Sequence, residues 1–133
     1  MDNYMEVAAV WHKDINDWRE TVKWVRDEVG ILEGQLEAIA AVPQEKEIMP
    51  HVQRFESQFI RQREVADEWE HELKLADHQV RQWIEWTSAG QQAAAPDHAA
   101  LGEKALIFHQ LFEELRAAFR SFELTVKQHT SLH

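Results

Sequence analysis

The chain has 133 residues, 44% of them hydrophobic and 29% charged, the profile of a folded chain rather than a disordered one. With 24 acids against 14 bases its formal net charge is -10, a field that attracts neither a nucleic-acid backbone nor an anionic membrane and that favours solubility. The absence of cysteine excludes disulfides, a thiolate nucleophile and a Cys-ligated metal, and fits a reducing, cytoplasmic setting.

No uninterrupted apolar run approaches bilayer length, and Met1 to Val10 has neither the basic segment nor the apolar run of a signal peptide. A soluble cytoplasmic protein, most simply a single domain, is therefore expected.

The first helix is expected over 3–41. Its apolar residues recur at alternating intervals of three and four from Ala8 through Trp11, Ile15, Trp18 and Val22 to Ile39, the a/d seam of a rod that lies along other helices. Asn3 and Glu6 have capping-box spacing. Val42 precedes Pro43 and so leaves the helical region. At ~1.5 Å per residue the rod is roughly 55–60 Å long.

The second helix is expected over 44–87, with Ile48, Val52, Phe55, Phe59, Gln62, Ala66, Trp69 and Leu73 in the same rhythm. A start near Gln44 keeps Ile48 in step and leaves Pro50 to kink the helix; alternatively Pro50 is itself the first helical residue. Residues 88–96, small and polar, read as a surface loop. Pro96 and Asp97 then open a third helix, expected over 97–129, followed by a frayed tail at 130–133.

The short first connection makes helices one and two antiparallel neighbours. The predicted fold is all-α, an up-down-up antiparallel three-helix bundle. Folding helix three back symmetrically gives layers such as Trp18 with Trp69 and Leu115, Val22 with Ala66 and Phe119, and Val25 with Gln62 and Phe122. The pattern resembles a spectrin-type repeat, including the seam tryptophan Trp18, a likeness that implies fold alone.

Little in the sequence points to chemistry. Glu68 and His71 have the E-x-x-H spacing of di-iron carboxylate bundles, but a second such pair is absent and both fall on the outer face. A hemerythrin-like oxygen carrier would need inward histidines. Only His98 and His129 hold seam positions, at opposite ends of the rod, and the histidines read as surface or end-cap groups. Asp67, His71 and His78 form an outer stripe into which Lys74 intrudes. No nucleophile with its base and orienting group can be assembled, so no catalytic, cofactor or metal site is expected.

Gln62 is the one polar residue in the helix-two seam, either a core-edge amide or a pin for register beside the Trp18–Trp69 layer. A ligand-binding gap between Trp18 and Trp69 is disfavoured because that layer looks full. The remaining signal is apolar surface on helix one: Val10, Trp24 and Ile31 at c positions, with Asp17 interrupting and Gly30 and Gly34 beside them. These five residues form the expected interaction surface. The expected function is that of a non-catalytic structural or protein-interaction bundle, self-associating as a homodimer, with no nucleic-acid or membrane partner. The alternative is a metal- or oxygen-handling bundle.

Overall fold

The computed structural model describes residues 3–131, with side chains to 129. It is a three-helix bundle of α1 (Tyr4–Ala40), α2 (Met49–Ser88) and α3 (His98–Ser131) in up-down-up order. Residues 1–2, and residues 132–133 of the expected tail, lie outside the described residues. The helix continues through Thr130 and Ser131.

Each helix end has its own local cause. Asn3 precedes α1 but makes no side-chain cap hydrogen bond. Its ψ of 18° is far from the β-region value that turns a cap side chain toward the first amides, so the expected capping box does not form. At the other end Gln44 Nε2 donates to the Ile39 carbonyl, satisfying one of the orphan acceptors of the last turn.

The start of α2 corrects the expectation of Gln44. Residues 43–45 are irregular and 46–48 form a turn, with Ile48 as N-cap and Pro50 in the first turn. The reason is the missing N–H of Pro50, which costs nothing in a first turn and breaks a hydrogen bond anywhere deeper. Ile48 is still buried, so it keeps the seam's rhythm from outside the helix.

α2 ends in a Schellman arrangement. Gly90 adopts φ 78°, the Gly90 amide donates to the Thr87 carbonyl and the Gln91 amide to the Trp86 carbonyl. At α3, Asp97 Oδ1 accepts from the Ala100 amide, the cap its position predicts.

The expected seam is the core. Ile15, Val22, Val25, Val29, Leu32, Phe59, Leu73, Phe112 and Phe119 are fully buried. α1 and α2 form the close pair, their backbones in intimate contact, while α3 stands further from both. The His12–Asp77 hydrogen bond and the ion pairs Arg19–Glu70, Arg26–Asp67 and Glu33–Arg63 mark the antiparallel α1–α2 register along its length.

The register of α3 departs from the expected layers. Phe119 packs on Phe55 and Phe59 rather than opposite Ala66, Phe122 on Phe55 rather than Gln62, and Trp69 meets Phe108 rather than Leu115. The displacement along α2 is one heptad. It leaves every seam residue in phase and is set by the loop, which runs back along the bundle before α3 begins. His98 consequently sits beside Trp11 and Trp18, so this end of the bundle is two helices with the loop.

Candidate interaction site

The apolar surface expected on α1 is not one surface. The large indole of Trp24, expected to face outward, is partly buried against the core. It meets Phe112 edge-on at 5.4 Å and lies under the Arg116 guanidinium at 5.4 Å. A c position on α1 flanks α3, and a tryptophan is long enough to reach it.

Val10 and Ile31 are exposed at 57% and 51% but stand 21 positions apart, about 30 Å along the helix. Val10 lies in the part of α1 before the first residue that α3 reaches. Gly30 faces α2, where a Cβ would meet Arg63 at 3.5 Å, and Gly34 has nothing within 4 Å of a Cβ. Neither glycine answers a close backbone approach within the chain.

The larger apolar opening lies between α2 and α3. It is a channel of about 500 Å³ with Gln62, Val65, Leu111, Leu115 and Ala118 among its lining residues. Beyond its lining residues, Lys104 pairs with Glu72 at 2.6 Å toward one end, and Phe55 packs on Phe122 toward the other. The channel exists because α3 stands off α2 and turns small or half-exposed side chains toward it. Leu111 remains 53% exposed at its lip.

Gln62 is only 8% exposed, and its Nε2 has no hydrogen-bond partner. A buried amide donor without an acceptor costs about 1–3 kcal/mol, so the channel floor carries an unmet polar demand. On the α2 wall Arg61 donates from Nη1 to Glu64 and Glu68. The hydrogen bond to Glu64 is the main cause, with the Glu68 charge, of a pKa raised above the ordinary guanidinium value.

A second recess, about 350 Å³, opens beside Trp18 and Trp69 where α3 presents Gly102 and Ala105. The layer expected to be full is therefore partly open, because the heptad shift brings small residues of α3 opposite both indoles. Trp69 itself is 5% exposed, and Trp18 lies 3.6 Å from where a Gly102 Cβ would be.

Two histidine arrangements escaped sequence reasoning. His98, expected to be a surface or end-cap group, is instead stacked between Trp11 (5.0 Å) and Trp18 (5.1 Å), with its Nε2 2.9 Å from Asp14 Oδ2. Trp11 stacks in turn on Trp83. The available signal was the spacing of Trp11 and Trp18, seven residues apart on one face of α1, which leaves a flat slot between two indoles.

His12 is 2.6 Å from the buried Asp77, whose other oxygen accepts from Arg81, and its outer nitrogen faces Asn16. This carboxylate–imidazole pair ends on the Asn16 amide, so a chain of side-chain contacts runs from Arg81 through Asp77 and His12 to Asn16.

Glu68 pairs with Arg61, and His71 and His78 are exposed. Among the described residues no group of three or more His, Asp or Glu side chains is arranged to hold a metal ion, and no helix is long and apolar enough to cross a membrane. Comparison with protein-family models, curated proteins and solved structures gives no match to the chain.

Proposed function

We propose that the protein is a non-catalytic interaction bundle that receives an amphipathic helical surface in the channel between α2 and α3. The observation that carries this reading is the buried, unpartnered Gln62 amide in an apolar channel with Leu111 exposed at its lip. Native cores fill such space and satisfy such donors. A channel that does neither is completed by an occupant that lays apolar side chains across the opening and lets the Gln62 amide turn toward an acceptor. The residues of α1 are scattered, since Trp24 is partly buried against Phe112 and Arg116 and Val10 and Ile31 stand far apart.

A photo-crosslinking phenylalanine analogue at position 111, with the same analogue at position 10 as control, tests the proposal in the cells that make the protein. Adducts of defined mass from position 111 and none from position 10 are expected. Adducts equal at both positions, or none from 111, overturn it.

A further inference from the structure

We infer that the occupant of the channel is a second copy of this chain, related to the first by a twofold axis running along the channel. The inference rests on the channel being a docking face and adds the identity of what docks. It is carried by the charges on the channel walls. Arg61 stands on the α2 wall and Glu114 on the α3 wall, both lining the same opening. Their heights match, because the neighbouring contacts Phe59–Phe119 and Trp69–Phe108 bracket them. Both hydrogen bonds of Arg61 leave from Nη1, so Nε and Nη2 remain as donors of the guanidinium fork. Glu114 is exposed and has no ion-pair partner among the described residues.

A half-turn about an axis parallel to α2 and α3 lays the α2 wall of each copy on the α3 wall of the other. Height along the channel does not change. Each Arg61 then faces Glu114 of the second copy, so the contact is made twice and the surface is complementary to itself. The same rotation carries each exposed Leu111 over the opening of the other channel, beside Gln62. An axis crossing the channel at the height of Arg61 would instead set α2 on α2 and Arg61 on Arg61, which like charges oppose. The parallel axis pairs Arg61 with Glu114 twice and covers both channels.

Charge reversal with sedimentation equilibrium of the purified full chain tests this. The wild type is expected to approach twice the monomer mass of 15.7 kDa as concentration rises. Arg61→Glu and Glu114→Arg, each alone, are expected to weaken association at least tenfold, because each places two like-charge contacts across the axis. An equimolar mixture of the two single variants, and the double variant Arg61→Glu/Glu114→Arg, are both expected to recover it. The double variant carries the same altered α2 as Arg61→Glu, so its recovery separates pairing across the axis from damage to the helix, and far-ultraviolet circular dichroism verifies that each variant is helical.

A wild type that stays monomeric at millimolar concentration overturns the inference, as does a dimer indifferent to both reversals or one that mixing fails to restore. If purified chain is monomeric while position 111 still gives adducts of other masses in cells, the second copy is excluded and the docking face stands. If position 111 gives no adduct, the docking face falls as well.

Discussion

His98 has an indole on each face and a carboxylate at its Nε2. An aromatic stack contributes about 0.5–1.5 kcal/mol beyond area burial. The hydrogen bond to Asp14 adds about 1 kcal/mol once the partial exposure of Asp14 is allowed for. His98→Ala is therefore expected to cost about 2–3 kcal/mol in urea unfolding, and His98→Phe about 1 kcal/mol, because Phe keeps the stack and loses only the polar contact. Equal losses for the two variants would show that the carboxylate, not the indoles, holds the ring. The sequence disclosed that His98 lies on a seam, but not that its two neighbours there are both flat. That knowledge required the height at which α3 begins.

Periodicity reports the phase of a helix and is blind to sliding by a whole heptad, since the same positions return after seven residues. Every buried aliphatic of α1 was legible for that reason, and the partners of Phe119 and Phe122 were not. The channel was illegible on the same ground, because Gln62 and Leu111 share it only in the shifted register.

What selects the register is the connection between Gly90 and Asp97. α3 starts about ten residues of helix below the end of α2, roughly 15 Å, and with a lateral step of about 10 Å the span uses most of the reach of the segment from Gly90 to Asp97 at about 3.3 Å per residue. Deleting Ala93, Ala94 and Ala95 removes about 10 Å of reach. The deletion is expected to pull His98 out of the Trp11–Trp18 slot and cost at least as much as His98→Ala. Inserting three Gly or Ser residues at the same point is expected to cost under about 0.6 kcal/mol, since loop-closure entropy grows slowly with length. Thermal unfolding of the two variants checks the asymmetry. A deletion as mild as the insertion would mean the loop has slack and does not set the register.

The three helices do not share one uniform contact. α1 and α2 are locked by close backbones, three ion pairs and the His12–Asp77 hydrogen bond along their length, whereas α3 is held at a distance by Phe108, Phe112, Phe119 and Phe122. Local opening follows contact density, so α3 is expected to open before the α1–α2 pair. Amide exchange measured by mass spectrometry under native conditions should show α3 amides exchanging by an opening about 1–2 kcal/mol cheaper than global unfolding, with α1 and α2 amides close to the global value. Association adds a second dependence. A copy lying along the channel stabilises only the closed position of α3, and mass action makes that stabilisation grow with concentration. Exchange over 107–118 is therefore expected to slow as wild-type protein is concentrated and to stay constant for Arg61→Glu. Uniform protection of all three helices in dilute protein would place α3 in the same cooperative unit as its neighbours. Slowing that persists in Arg61→Glu would remove the channel from the account of self-association.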